Sequence, residues 1–152
     1  MSELLTHEEY KSLAASLDFP QSPFIDGKYY KGSGALLTTL NPFTGKEITS
    51  ITTASDEDVD LAVEKAREAF DQGRWCRLHP SERKNILIRL CKLLTRNQIE
   101  LAVMESLESG KPIRDCVQID LPETIHTIKW HAELIDKIYD QTAPSGDDAL
   151  SI

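Results

Sequence analysis

Apolar side chains in the second half of the chain recur every three or four positions, the spacing of one face of an α-helix. The pattern predicts four amphipathic helices. Ser55 is placed to cap the first, Gly73 to end it and Gly110 to end the third. The predicted inward positions are Val59, Ala62, Val63, Ala66 and Phe70 in the first; Ile86, Leu90, Leu93 and Leu94 in the second, from about Ser81; Leu101, Met104 and Leu107 in the third; and Ile125, Ile128, Ala132, Ile135 and Ile138 or Tyr139 in the fourth, which begins near Pro122.

The first half of the chain has a different pattern. Residues 6–17 predict one further helix, because Thr6 and Glu9 have the spacing of a capping box. The predicted strands lie around Asp26-Gly27, at residues 36–40 and at residues 47–53, with a turn at residues 41–45 between the last two. The fold class is therefore α/β, or α+β within this chain, with N-terminal β-hairpins followed by about four amphipathic helices.

Composition narrows the choice of partners. The 152 residues carry a net charge of −8, which disfavours nucleic acid and anionic membranes as partners, since both require basic patches. No apolar run has membrane-spanning length and the N-terminus is acidic, so we expect a cytoplasmic protein. Cys76, Cys91 and Cys116 are odd in number and widely spaced, which predicts neither a disulfide framework nor a metal site.

Gly110 followed by Lys111 invites comparison with a phosphate-binding loop. Such a loop needs a glycine five positions before this glycine and a serine or threonine after the lysine. Glu105 and Pro112 occupy those positions. The sequence here is that of a helix end, where glycine stops the helix and proline prevents its continuation.

Several stretches are distinctive when taken in order. They are N-P-F-T-G-K at residues 41–46, D-E-D-V-D-L-A-V-E-K-A-R-E-A-F-D-Q-G-R-W at 56–75, S-E-R-K at 81–84, E-S-G-K-P at 108–112, and K-W-H-A-E-L-I-D-K-I at 129–138 followed by P-S-G. Together they resemble the N-terminal portion of the NAD(P)-dependent aldehyde dehydrogenase family. The resemblance covers about residues 24–152 and is strongest to bacterial enzymes that act on γ-glutamyl-γ-aminobutyraldehyde and similar aminoaldehydes.

The resemblance implies a chain that lacks the chemistry of its family. The family's nucleophilic cysteine, oxyanion-binding asparagine, water-activating glutamate and cofactor loop have no counterpart here, so no catalytic or cofactor-binding residue is predicted. The full-length enzyme would oxidise a small aldehyde, here an aminoaldehyde, to a carboxylic acid with NAD or NADP. This chain alone is predicted to be inactive and to bind neither cofactor.

The resemblance also divides the chain. Residues 1–23 would be an N-terminal helix and linker, residues 24–140 an incomplete NAD-binding domain, and residues 141–152 the truncated start of oligomerisation strands. Apolar stripes patterned to cover an absent sheet would favour self-association. An alternative remains open, namely a self-standing, non-catalytic binding or assembly module derived from the same family.

Two groups of site residues are predicted. Asp120 and Glu123, three positions apart, would project on one side of the first turn of the fourth helix, either as helix-start anions or in a functional role. By resemblance, this helix lines the entrance of the family's substrate tunnel, where two acidic residues of plant aminoaldehyde enzymes receive the substrate's ammonium; Ile119 would be an apolar wall. Resemblance also places backbone oxygens near Thr39 and Glu108 close to a monovalent-cation site, although a turn carbonyl and a helix-end carboxylate without an ion remain the open alternative.

Overall fold

A computed structural model of the chain describes residues 4–138. The helices are α1 (His7–Ser16), α2 (Asp56–Asp71), α3 (Pro80–Arg96), α4 (Gln98–Ser109), α5 (Ile113–Asp115) and α6 (Leu121–Leu134), with a π-helical segment (Cys116–Asp120) between the last two. The strands are β1 (Phe24–Ile25), β2 (Lys28–Tyr29), β3 (Leu36–Leu40) and β4 (Glu47–Thr52). The predicted order of hairpins followed by helices is confirmed. The strands predicted at residues 141–152 lie outside the described residues.

Local capping explains where the first two of these helices begin. At α1, the carboxylate of Glu9 accepts from the backbone N–H of Thr6 at 2.8 Å, and the Thr6 hydroxyl accepts in return from the N–H of Glu9. Ser55 and Asp58 form the same reciprocal pair at α2. These bonds satisfy N–H groups that a helix start otherwise leaves free.

Both predicted hairpins form as separate two-stranded antiparallel sheets. In the first, Phe24 pairs with Tyr29, and the two turn residues, Asp26 and Gly27, have φ angles of 47° and 79°. Two consecutive positive φ angles match the right-handed twist of the flanking strands, which explains the Asp-Gly sequence. In the second sheet, β3 pairs with β4 up to a bulge near Leu40.

The core lies between α4, the π-helical segment and α6. Its buried cluster consists of Ala102, Cys116, Val117 and Leu121, all at most 7% exposed. Helix α3 packs along α6, and Cys91 is buried on the α3 side of this contact. Among the helices of residues 4–138, none combines the length and apolarity that crossing a membrane requires.

The structure corrects the predicted inward faces of two helices. Val63 and Phe70 of α2 are each 63% exposed, and Leu90 and Leu93 of α3 are also exposed. Hydrophobic periodicity identifies an apolar face but not the element that covers it, and in the described part of the chain α2 packs mainly against β1. The stripe predicted on α6 is buried or half-buried from Ile125 to Ile135, whereas Ile138, beyond the end of the helix, is 63% exposed, so its predicted inward position is wrong.

The segment before α6 also differs from the prediction. Residues 113–120 are helical, and the backbone N–H of Leu121 donates to the carbonyl of Cys116, five positions earlier. Asp120 therefore lies inside a continuous helical run, with φ −67° and ψ −51°, rather than at a free helix start. The interpretation of Asp120 as a helix-start anion is wrong, because its neighbours in the π-turn already belong to the helix.

Candidate acidic site between α4 and α6

An open groove with a volume of about 490 Å³ runs between α4 and the start of α6. Three carboxylates line it, those of Glu105, Asp120 and Glu123, and the remaining lining residues are Thr124, Thr127 and Ile128. The structure thus brings the predicted pair, Asp120 and Glu123, into one groove and adds Glu105. Sequence analysis missed Glu105 as a site residue, although it follows Leu101 and Ala102 at helical spacing and so shares their inward side.

Glu105 and Asp120 belong to a compact cluster under the groove. One carboxylate oxygen of each and the sulfur of Cys116 lie within 4.8 Å of one another. The Nζ atom of Lys111 lies 2.5 Å from Oδ2 of Asp120. That oxygen is buried, and Lys111 is the cation paired with it. Oxygen and sulfur atoms at this separation could coordinate a cation, but the ammonium of Lys111 already pairs with the Asp120 carboxylate.

The cluster shifts the ionisation of its members. Burial, followed by the charge of Asp120, raises the pKa of Glu105 above its usual value. The adjacent carboxylate of Asp120 raises the pKa of Lys111, so this ammonium stays charged. Burial also raises the pKa of the Cys116 thiol, and the charge of Glu105 raises it further. A thiol held in its protonated form is a poor nucleophile, so Cys116 has a packing role.

The profile of the aldehyde dehydrogenase family matches residues 29–152. The chain belongs to this family. Aminoacetaldehyde dehydrogenase from Pseudomonas aeruginosa is 54% identical over 153 aligned residues, which cover 100% of this chain and 31% of that protein. The chain corresponds to the N-terminal portion of the family and spans about a third of the length of this relative.

Solved structures of family members have the same fold in this region. The γ-glutamyl-γ-aminobutyraldehyde dehydrogenase of Burkholderia cenocepacia has a TM-score of 0.87 and 35% identity, over 93% of this chain and 29% of its own. An indole-3-acetaldehyde dehydrogenase of P. syringae, solved in complex with NAD⁺ and IAA, has a TM-score of 0.87 and 36% identity, over 97% of this chain and 30% of its own. The predicted resemblance to the aldehyde dehydrogenase family, and within it to aminoaldehyde dehydrogenases, is confirmed.

The other predicted site residues are not gathered into the groove. Ile119 is 59% exposed and lies outside the set of lining residues, so its role as an apolar wall stays a prediction. Thr39 is half-buried in β3, where its hydroxyl donates to the carbonyl of Thr49, and Glu108 is exposed in the last turn of α4. The monovalent-cation site predicted near Thr39 and Glu108 stays a prediction.

The remaining two cysteines differ in burial: Cys91 is buried and Cys76 is exposed. Cys91 is 6% exposed and its Sγ lies 3.8 Å from the carbonyl oxygen of Ile125, so it is a core thiol. Cys76 is exposed after α2, with its Sγ 3.7 Å from the carbonyl oxygen of Phe70.

Proposed function

We propose that this chain is the N-terminal segment of an NAD(P)-dependent aldehyde dehydrogenase that oxidises an aminoaldehyde in the cytoplasm. The observation that carries the proposal is the 54% identity to aminoacetaldehyde dehydrogenase along the whole chain. The NAD⁺ complex of the P. syringae relative supports the cofactor class. In this proposal the enzyme binds NAD or NADP outside the present segment and converts the aldehyde to a carboxylic acid.

The groove between α4 and α6 would receive the substrate's amino group. Glu123 is exposed and lines the groove, so its carboxylate is free to meet a cation that approaches from solvent. A negative charge beside low-dielectric walls raises the local concentration of a cationic substrate, and salt weakens this attraction. The threonines and Ile128 in the same lining suit the short polar and apolar parts of a small aminoaldehyde.

The segment by itself would be catalytically silent. Aldehyde oxidation through a thiohemiacetal needs an accessible thiolate. Of the three cysteines, Cys91 and Cys116 are buried, and the exposed Cys76 does not line the groove in which the substrate would bind. We expect the purified chain to show neither dehydrogenase nor esterase activity, and calorimetric titration with NAD to give no heat of binding. Micromolar affinity for NAD would contradict the cofactor half of this proposal.

The acidic contact can be tested in a chimera. The matching N-terminal stretch of the P. aeruginosa aminoacetaldehyde dehydrogenase is replaced by this chain, and Glu123→Gln is compared with the parent chimera. We expect kcat/KM for an aminoaldehyde to fall about threefold to tenfold, because one exposed ion pair is lost. We expect kcat/KM for a neutral aldehyde of equal length to stay unchanged.

The matched control is Glu133→Gln, which removes an exposed glutamate from the other end of α6. It should leave both substrates unaffected. If Glu123→Gln lowers kcat/KM for the two substrates by the same factor, or changes neither, the carboxylate does not recognise the amino group.

A second candidate function is a non-catalytic assembly module. The observation in its favour is the exposed apolar face of α2, which is suited to packing against another polypeptide. The nucleotide sequence after codon 152 separates the two candidates. A continuation with the family's catalytic motifs favours the enzyme, and an unrelated sequence favours the module.

A further inference from the structure

Lys111 is held in place by its backbone on both sides. Its carbonyl accepts a hydrogen bond from the Ser106 hydroxyl at 2.7 Å, and its N–H donates to the Ser109 hydroxyl oxygen at 3.2 Å. Both serines belong to the last turns of α4, so the residue after the Gly110 cap is fixed relative to that helix. These hydrogen bonds position Lys111 so that its ammonium reaches Asp120. Asp120 itself belongs to the π-helical segment.

The ion pair decides which charges face the groove. With Lys111 2.5 Å from its Oδ2 atom, Asp120 contributes almost no net negative charge to the groove. Glu105 lies beside this pair, and burial followed by the charge of Asp120 raises its pKa. Glu123 is the exposed carboxylate of the groove, and Lys111 offsets the charge of Asp120.

We propose that Lys111 is a specificity-determining residue that acts through Asp120, masking the charge of one of the three carboxylates that line the groove and so limiting how strongly the groove prefers cationic aldehydes. The proposal rests on the function proposed above, in which this groove receives the substrate's amino group. It adds a residue that meets the substrate only through its effect on Asp120. The site would thus be tuned to accept a weakly rather than a strongly cationic substrate.

The test uses the same chimera with Lys111→Met. This change should lower KM for the aminoaldehyde about threefold to tenfold, by unmasking one negative charge near the substrate. We expect kcat, and both constants for the neutral aldehyde of equal length, to stay the same. The gain should shrink as ionic strength rises. Lys111→Arg, which keeps the charge, should behave like the parent.

A double variant isolates the route through Asp120. In Lys111→Met/Asp120→Asn the gain in affinity should disappear. Asp120→Asn alone should raise KM for the aminoaldehyde selectively, because it leaves the Lys111 ammonium unpaired beside the groove. If Lys111→Met alters both substrates equally or neither, or if its gain survives Asp120→Asn, the proposal is overturned. Should Lys111→Met fail to fold, the double variant decides: a selective rise in its KM for the aminoaldehyde would show that the charge of Asp120 was never masked.

Glu123→Gln separates this inference from the proposed function. A selective loss with Glu123→Gln, together with no selective gain from Lys111→Met, overturns only the role of Lys111. If neither variant discriminates between the two aldehydes, the groove does not recognise the amino group and both proposals fail.

Discussion

Gly110 is the residue at which the end of α4 meets the turn of the second hairpin. Its φ angle is +74°, and a Cβ atom added there would lie 2.9 Å from Cγ of Pro42. The positive φ angle favours glycine because a left-handed backbone is strained for residues with a side chain. The short distance favours glycine because the proline ring leaves no room for a Cβ atom. Gly110 thus ends α4 and also allows the turn between β3 and β4 to pack against the end of this helix. Thr39, which belongs to the predicted cation site, lies in the same hairpin.

Gly110→Ala should therefore destabilise the chain by about 2–4 kcal/mol, the sum of a left-handed alanine and a steric overlap. Denaturant titration of the variant and the wild type gives their free energies of unfolding, and the difference measures this loss of stability. Gly45→Ala is the matched control, because φ is +67° and nothing lies within 4 Å of the added Cβ. It should cost only the backbone share, about 1–2 kcal/mol. Equal losses in the two variants would mean that Pro42 yields without cost.

Helix α3 is tied to the end of α6 by an ion pair between Lys84 and Asp136. Nζ and Oδ2 are 2.8 Å apart, and both side chains are partly shielded from solvent. The hydrogen bond from Lys84 lowers the pKa of Asp136, and the carboxylate of Asp136 raises the pKa of Lys84. Helices α3 and α6 make the largest helix–helix contact in the described chain, so the Lys84–Asp136 ion pair should contribute to the stability of their packing.

Lys84→Met should lower the melting temperature at neutral pH by a small but measurable amount. Because the folded pKa of Asp136 is depressed, its share of the stability is present above the unfolded value of about 3.9 and is lost as pH falls through the folded pKa. Because the folded pKa of Lys84 is raised, its share is complete below about 10.4 and is lost as pH rises through the folded pKa. The difference between wild type and variant should therefore vanish at both extremes.

Lys129→Met is the control for this prediction. Lys129 is 57% exposed and lies 3.8 Å from Glu133, so its removal should change the melting temperature less. A wild-type-to-variant difference that stays constant from acid to alkaline pH would show that Lys84 acts through packing of its alkyl chain rather than through charge.

Most helices and strands were predictable from residues close in sequence, but the helical segment at residues 113–120 was not. Thr6 and Ser55 cap helices by contacts within their own turn, and Asp26-Gly27 adopts the backbone that its sequence favours. Residues 113–120 carry no comparable signal, because Pro112 and Pro122 suggest a break between helices. Their helix is held by tertiary packing of Cys116 and Val117, both 0% exposed, and sequence periodicity does not register such packing. The contact of Glu105 with Asp120 depends on this segment and was missed for the same reason.

On the scale of the whole molecule, the described chain exposes a large share of its apolar side chains. Exposed apolar residues include Leu36, Leu37 and Leu40 of β3, Phe43 of the following turn, Val59, Val63 and Phe70 of α2, and Leu90 and Leu93 of α3. The helical periodicity of the sequence predicts apolar faces on α2 and α3, but periodicity does not identify what covers them. The chain spans 31% of its P. aeruginosa relative.

We expect the isolated chain to self-associate through these faces, giving dimers or larger species in size-exclusion chromatography with light scattering. Val63→Ser should reduce the association, since it removes a side chain that is 63% exposed. Asp60→Ser, one turn earlier on α2, should leave it unchanged. A compact monomer with dispersed NMR signals and no binding of hydrophobic dyes would contradict this expectation.

The π-turn at Cys116–Asp120 has a consequence for how related enzymes diverge. Such a turn accommodates one residue more than an α-helical turn, and Gln118 within it is exposed. Deleting Gln118 would restore an α-helix and rotate everything before it by about 100° relative to α6. Asp120 would then part from Lys111 and Glu105. A shortening of the gene by one codon would therefore redistribute charge in the groove without exchanging any amino acid. Under the function proposed above, length variation at this point would be a route to a new substrate preference.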